Sequence, residues 1–256
     1  VSPTPALTIS DYSGIVAAAY DQFFGNEPFF DQAFFAERIR ANGGLALELA
    51  CGTGRLMLPY LRDGLDVEGL DTSGDMLAIL RVKAARLGVK PTLHQRPMQD
   101  FDLPARYTCI FCPVNSFQIL VTDSDIAAAL GCCLKALVPG GELILTIADR
   151  PAAWESDWRE RRRIVLDDGA QVVIDDLSHP HPAAPRWHWN LRWRVGHGEA
   201  VEEFIQSFEL RDYDATDLLA QFAASGFEGV CERRGYTESK NEKGLQRIVC
   251  ARRPKA

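Results

Sequence analysis

Residues 45–71 read LALELACGTGRLMLPYLRDGLDVEGLD: an apolar run, a glycine-containing loop, a helical stretch, and a second apolar run that ends in an acid. That order spells one βαβ unit with a small-molecule site in its first turn. Gly52 and Gly54 lack the Cβ atoms that would hold a ligand away from the backbone. Asp71 follows Gly52 by about 20 residues, the place from which a carboxylate reaches a ribose. The stretch therefore predicts a nucleoside-type cofactor at the head of an α/β sheet.

Working outward, strands and helices alternate. Strand 45–51 leads to helix 55–63, strand 66–71 to helix 73–88, strand 91–95 to a loop, and strand 107–113 to helix 123–137 before strand 142–148. Thr72 with Asp75, and Thr122 with Asp125, have capping-box spacing at two helix starts. Pro139-Gly140-Gly141 is expected to stop a helix and open the next strand. Such alternation gives a mostly parallel sheet with helices on both faces. Upstream, residues 1–10 read as a loose Pro/Ser/Thr leader, and residues 11–42 as two short Phe-rich helices broken at Gly25-Asn26-Glu27-Pro28.

The grammar changes after residue 150. Strands 159–166 and 170–177 flank Asp167-Asp168-Gly169, a hairpin signal, and longer strands follow at 186–195 and 200–211. Helix 214–225 and strands 227–233 and 246–252 return to the first pattern. The expected organisation is an N-terminal helical cover (1–42), a cofactor-binding α/β domain (43–150 and 214–256) and an antiparallel β insertion (151–213). All five tryptophans lie in the insertion. Trp187, Trp189, Leu191, Trp193 and Val195 share one strand face, and Arg186, His188, Asn190, Arg192 and Arg194 the other. The aromatic face suits packing on the main domain or a dimer partner, and equally a lid over substrate.

Composition narrows the function classes. A 256-residue chain with 46% hydrophobic residues and a formal charge of −7 has the makings of a globular core. It lacks the long-range basic field that would gather nucleic acid or an anionic membrane. The N-terminus shows no basic n-region with an apolar core, and no apolar run is long enough to span a bilayer. The seven cysteines form no CxxC pair of pairs; Cys109 to Cys112 is formally CxxC but lies inside an apolar strand. These features lead us to expect reduced thiols in a cytoplasmic protein.

A dinucleotide fingerprint needs a third glycine where Met57 stands, and no GK[ST] follows the loop, which disfavours NAD and ATP. What remains is an acid followed by a glycine loop: Glu48-Leu49-Ala50-Cys51-Gly52-Thr53-Gly54. With GLDTSGDML (69–77), LPARYTCIFCPVNSFQIL (103–120) and LKALVPGGELILTI (134–147) in order behind it, the chain resembles the class I S-adenosylmethionine (SAM)-dependent methyltransferases over roughly residues 15–255. The resemblance implies a Rossmann-like α/β sheet of seven strands, mostly parallel with the last antiparallel, and SAM as cofactor. It also implies roles for individual residues. Glu48 would attract the ammonium of SAM, and Asp71 would accept from both ribose hydroxyls. Ala50, Cys51, Gly52, Gly54 and Arg55 would form the loop, Thr72 and Met76 would follow Asp71, and Met98 and Gln99 would face the adenine. Pro97 stands where the family usually places an acid for the adenine amine, and Ala50 replaces a glycine, a change expected to be mild. Pro113 and Asn115 would close the pocket, and Tyr20 lies in AAAYDQFFG (17–25), similar to the segment that covers SAM in small-molecule members.

SAM carries an activated methyl group, so such enzymes need alignment and water exclusion more than a fixed catalytic triad. Candidates for a catalytic role are Tyr20, Asn115, His179, His181 and His188, and for acceptor binding Tyr12, Ser116, Phe117, Trp187 and Trp189. The CPVNSF stretch is not the NPPY-type box of nucleic-acid amino-methyltransferases, and only Asn115 lies where a metal-dependent relative would cluster its ligands. The expectation is therefore methyl transfer to a nitrogen or oxygen of a small metabolite, without metal, nucleic acid or membrane, in a chain that could form a homodimer. Two alternatives are a protein or tRNA methyltransferase and a non-catalytic SAM- or nucleoside-binding assembly module.

Overall fold

The computed structural model describes residues 7–9, 11–24, 31–103, 107–183, 185–198, 200–236 and 246–255. In chain order its first elements are β1 (Leu7–Ile9), α1 (Gly14–Phe24), α2 (Asp31–Asn42), β2 (Ala46–Leu49), α3 (Met57–Arg62) and β3 (Val67–Asp71). Next come α4 (Gly74–Leu87), β4 (Thr92–Gln95), β5 (Tyr107–Cys112), a 3-10 helix (Ser116–Ile119), α5 (Asp123–Ala136) and β6 (Leu137–Ile147). Then follow β7 (Arg159–Val165), β8 (Gln171–Pro180), β9 (Arg186–His197), β10 (Ala200–Arg211), α6 (Ala215–Ala224), β11 (Glu228–Arg234) and β12 (Arg247–Arg252). The chain divides into two compact units, residues 28–149 with 213–256, and residues 1–27 with 150–212. The segment 1–42, read from sequence as one cover, is thus shared between the two. The helix break expected at 25–28 lies outside the described residues.

The larger unit carries a seven-stranded sheet in the order β11-β12-β6-β5-β2-β3-β4. Only β12 runs against its neighbours, pairing antiparallel with both β6 and β11. Side chains alternate between two buried clusters, as period-2 geometry requires. Leu47, Leu49, Ile110, Cys112, Leu143 and Leu145 face one way, onto Ile126 and Leu130 of α5 and Leu218 and Phe222 of α6. Ala46, Cys109, Phe111 and Ile144 face the other, onto Phe35 and Ile39 of α2, Met57 of α3, and Leu77 and Leu80 of α4. Burial on both faces explains why the central strands read as near-continuous apolar runs.

The caps differ in one place from the sequence reading. Thr122 caps α5 as expected: its hydroxyl oxygen accepts from the Asp125 N–H at 3.1 Å and donates to the Asp125 carboxylate at 2.6 Å. At α4 the cap is Ser73 rather than Thr72, accepting from the Met76 N–H at 3.1 Å. β6 also begins earlier than expected, at Leu137, so Pro139-Gly140-Gly141 lies inside the strand. The C-terminal segment holds it there. The Gly140 N–H donates to the Arg253 carbonyl and the Arg253 N–H to the Gly141 carbonyl, both at 2.9 Å. The Arg253 guanidinium caps α5 by donating to the Leu134, Lys135 and Leu137 carbonyls.

The smaller unit is a five-stranded sheet in the order β1-β10-β9-β8-β7. Four of its strands form the expected antiparallel meander, while β1 joins β10 in parallel, with Leu7 opposite Phe204 and Ile9 opposite Gln206. Residues 7–9 therefore form an edge strand rather than part of a loose leader. The β7–β8 turn falls at Asp167-Asp168-Gly169, where Gly169 has φ +86° and the Asp168 carboxylate accepts from the Ala170 N–H at 3.0 Å. The aromatic face of β9 packs on α1: Trp187, Leu191, Trp193 and Val195 are buried with Val16, Ala19 and Phe23. No helix among the described residues is long and apolar enough to cross a membrane.

Gly69 in β3 is what lets the loop after β2 lie flat on the sheet. A Cβ there would stand 2.7 Å from Cys51 Sγ and 2.9 Å from Met57 Sδ. Gly69→Ala is expected to destabilise the chain by about 1–3 kcal/mol, the usual cost of overpacking a closed contact. The shift in the urea midpoint measures it, and an unchanged midpoint would show that the loop yields freely.

Candidate active site

Parallel pairing of β2 with β3 brings their C-terminal ends side by side, with Leu49 opposite Leu70. The chain then turns through Ala50 (φ +54°), Gly52 (φ +52°) and Gly54 (φ +82°) before entering α3. The Gly52 N–H donates to Asp71 Oδ2 at 2.8 Å, and Oδ1 of the same carboxylate accepts from the Ser73 N–H at 2.9 Å. Each oxygen keeps a second lone pair for another donor. The backbone of the β4 exit closes on the same point, the Arg96 N–H donating to the Asp71 carbonyl at 3.1 Å. Burial raises the pKa of Asp71, and the amides of Ser73, Gly52 and Thr72 counter it.

The two loop glycines have different duties. A Cβ at Gly52 would meet nothing within 4 Å, so this glycine leaves room over the loop. A Cβ at Gly54 would come within 2.8 Å of Leu80 Cγ and 2.9 Å of Leu58 Cγ. Gly54 thus serves the core, not the ligand approach expected of it. Ala50 holds a left-handed conformation despite its Cβ, which carries a penalty of about 1–2 kcal/mol. Its presence is therefore less mild than the sequence suggested.

Glu48, on β2, is 2% exposed. Burial pushes its carboxyl up to about 8, with Asp31 and Asp71 adding to the shift while Arg55 and the Met57 N–H oppose it. Its Oε2 is buried and makes no hydrogen bond. A buried oxygen left in this way calls for a polar partner. Arg55 does not supply it: the guanidinium makes two bonds, of 2.8 and 2.6 Å, to the fully buried Asp31 at the start of α2. The Tyr60 hydroxyl adds a bond to the Gln32 carbonyl at 2.8 Å, so α2 is fastened to α3 and the loop.

A second cluster of strained backbone lies at the end of β5. Val114 (φ +52°) and Asn115 (φ +61°) are both left-handed. The Asn115 N–H donates to Thr146 Oγ1 at 3.1 Å, and Thr146 in turn donates to the Cys112 carbonyl at 3.3 Å. The Asn115 Oδ1 is buried and makes no hydrogen bond. Consecutive non-glycine residues at positive φ are costly and persist where surrounding structure enforces them. Gln118, which the sequence offers beside Asn115 as a residue facing the acceptor, is instead fully buried: its amide oxygen accepts from the Ala148 N–H at 2.8 Å and its amide nitrogen donates to the Ala148 carbonyl at 3.2 Å.

The remaining candidates in this unit divide cleanly. Pro113 is buried and its carbonyl accepts from the Ser116 N–H at 3.4 Å. Thr72 is exposed, its carbonyl accepting from the Gln95 amide, and Met76 is buried beneath the α4 cap. Met98 packs on the core, and the Gln99 carbonyl accepts from Cys132 Sγ at 3.7 Å. Phe117, expected to face the acceptor, is fully buried and packs beside Tyr213, so it belongs to the core. Cys51 is buried as well, under the loop, and burial drives its thiol pKa upward.

The other candidates sit in the smaller unit. Tyr12 stacks on Phe208 at 5.2 Å and meets Tyr20 edge-on at 5.6 Å. Trp187 is buried in the aromatic cluster, and Trp189 stacks on Phe208 at 5.5 Å. On the opposite sheet face His188 lies between His179 (4.9 Å) and His181 (4.7 Å). Burial first, then these two neighbours, lower its pKa, which favours a neutral imidazole. Among the described residues no group of three or more His, Cys, Asp or Glu is set to hold a metal ion.

Comparison with known proteins agrees with this geometry. Residues 46–141 match the family described as "Methyltransferase domain". The dTDP-3-amino-3,6-dideoxy-α-D-glucopyranose N,N-dimethyltransferase of Streptomyces fradiae is 34% identical over 143 residues. That match covers 53% of this chain and 54% of the relative, so it spans about half the relative's length. The dTDP-3-amino-3,4,6-trideoxy-α-D-glucopyranose N,N-dimethyltransferase of Streptomyces venezuelae is 26% identical over 231 residues, 86% of this chain and 94% of the relative. Among solved structures, SAM-bound CalS10, an amino pentose methyltransferase from Micromonospora echinaspora, superposes with TM-score 0.69 and 25% identity, covering 96% of this chain and 99% of that one.

Two measurements check the site. Ala50→Gly is expected to raise stability by about 0.5–1 kcal/mol, since relief of the left-handed penalty outweighs the added freedom of the unfolded chain; a lower denaturation midpoint would refute it. Glu48 predicts proton linkage. Its carboxyl is protonated below about 8, and an ammonium at Oε2 stabilises the carboxylate, so binding must expel the proton. Calorimetry of SAM near pH 7 in buffers of different ionisation enthalpy should show release of ~1 proton, with affinity rising from pH 6 towards 8. Heats that do not depend on the buffer would remove Glu48 from the ammonium site.

Proposed function

We propose that the chain is a class I SAM-dependent methyltransferase that methylates the amine nitrogen of a small metabolite, and that the acceptor is an amino deoxysugar. The observation that carries this reading is the near full-length match to the Streptomyces venezuelae N,N-dimethyltransferase, which covers 94% of that relative. The acidic charge of −7 favours a small acceptor over nucleic acid. Seven free thiols suit a reducing, cytoplasmic setting.

The residues of the larger unit fit the cofactor. In this reading Glu48 Oε2 receives the ammonium, the space over Gly52 admits the amino-acid end, and Asp71 takes the ribose hydroxyls on its spare lone pairs. Met98 and Gln99, carried beside Asp71 by the Arg96 backbone bond, flank the adenine. When bound, SAM supplies a methyl group on a positively charged sulfur, which an amine lone pair can accept.

The chain's task is then to hold that amine in line and keep it unprotonated. Asn115 is suited to the first. Its orphaned Oδ1, fixed by a left-handed backbone at the end of β5, can accept from an amine N–H and aim the lone pair away from itself. Open α/β sheets bind ligands at this end of their strands. Ser116, the next residue after Asn115, remains a candidate for lining the acceptor site.

The test is direct. Purified chain with SAM is offered amino deoxysugar nucleotides, phenolic acceptors and tRNA in parallel, and methyl gain is read by mass spectrometry. Turnover of the amino sugars is expected, with Asn115→Ala lowering kcat/KM by about 10–100-fold, the scale of a lost polar contact. Methylation confined to hydroxyl acceptors, or to tRNA, would overturn the proposal.

A further inference from the structure

β11 and β12 place two cysteines face to face, away from the loop and the β5 end. In the antiparallel register Cys231 is directly opposite Cys250. Opposed residues of an antiparallel pair have Cα atoms about 4.5–5.5 Å apart, within the ~4.4–6.8 Å that a disulfide spans. Their side chains leave the same face of the sheet, and both line one cavity of about 260 Å³ together with Phe34, Arg38, Glu142 and Arg233. Both sulfurs are free thiols; Cys231 is exposed and Cys250 half-buried. The ladder slips between Glu228 and Cys231, which leaves the strand locally irregular beside the pair.

We propose that Cys231 and Cys250 are a reversible oxidation site, forming a disulfide across β11 and β12 when a peroxide enters the cavity they share. The exposed Cys231 thiolate attacks one peroxide oxygen: an S–O bond forms, the O–O bond breaks, and the departing hydroxide takes a proton to become water. The Cys250 sulfur then attacks the Cys231 sulfenic acid. The S–S bond forms as the S–O bond breaks, and the leaving hydroxide takes the Cys250 proton as a second water. Two thiols lose two electrons and one peroxide gains them. Cys231 leads because it is exposed, and the half-buried Cys250, whose thiol is pushed up to about 12 by burial and then by Glu142, follows as the resolving partner.

The full chain is treated with hydrogen peroxide, blocked with a maleimide, digested and mapped by mass spectrometry. Two of the seven cysteines should become unblockable, with a Cys231–Cys250 cross-linked peptide that dithiothreitol reverses. Cys250→Ser should stop the reaction at a Cys231 sulfenic acid trapped by dimedone, and Cys231→Ser should protect Cys250 from peroxide. If either variant fails to fold, the peptide map of the unaltered chain decides alone. Maleimide on both Cys231 and Cys250 after treatment, or a bridge found only between two copies of Cys231, would overturn the proposal.

Discussion

The bond from the Gly52 N–H to the Asp71 carboxylate ties the turn after one strand to the end of the next. Because β2 and β3 run parallel and in register, their ends arrive together, and one side chain can organise both exits. The same carboxylate takes the Ser73 amide at the start of α4, and the Asp71 carbonyl takes the Arg96 amide leaving β4. Three chain exits thus converge on one residue whose own charge is opposed by burial and upheld by backbone donors. Moving that carboxylate would loosen the loop and the start of α4 at once.

Around this hub the sequence stores polar demand rather than satisfying it. Glu48 Oε2 and Asn115 Oδ1 are buried without partners at the ends of neighbouring strands β2 and β5. Buried groups left in this way cost stability, and native proteins retain few of them. By contrast the Arg55–Asp31 pair is fully engaged and bidentate, the geometry in which a buried ion pair offsets its desolvation best. The arrangement contrasts two kinds of polar group: charge is paired where α2 is held, and polar oxygens stand without hydrogen bonds at the ends of β2 and β5.

The alternation of apolar runs and helical stretches was legible because the central strands are buried on both faces, and periodicity registers that directly. So was Asp71, whose position is fixed by the length of one βαβ unit. Other features depend on which atoms meet in three dimensions. Gly54 looks like Gly52 in the sequence, yet one abuts Leu58 and Leu80 and the other abuts nothing. Phe117 follows the β5 exit, but the 3-10 turn rotates it into the core. Gly69 gave no signal, because its constraint comes from Cys51 and Met57 folding over it. Ser73 outcompetes Thr72 as a cap by one position, a margin that pattern reading does not resolve. Leu7–Ile9 was missed because a three-residue strand leaves no periodicity of its own.

That short strand has a bearing on solubility. β10 borders its sheet, and an uncovered border offers a row of free amides and carbonyls to any extended polypeptide. Leu7–Ile9 shields the stretch Phe204–Gln206 by running parallel along it. Trimming these few residues would turn a guarded margin into an adhesive one, and self-association would then be the first symptom, ahead of any loss of folding.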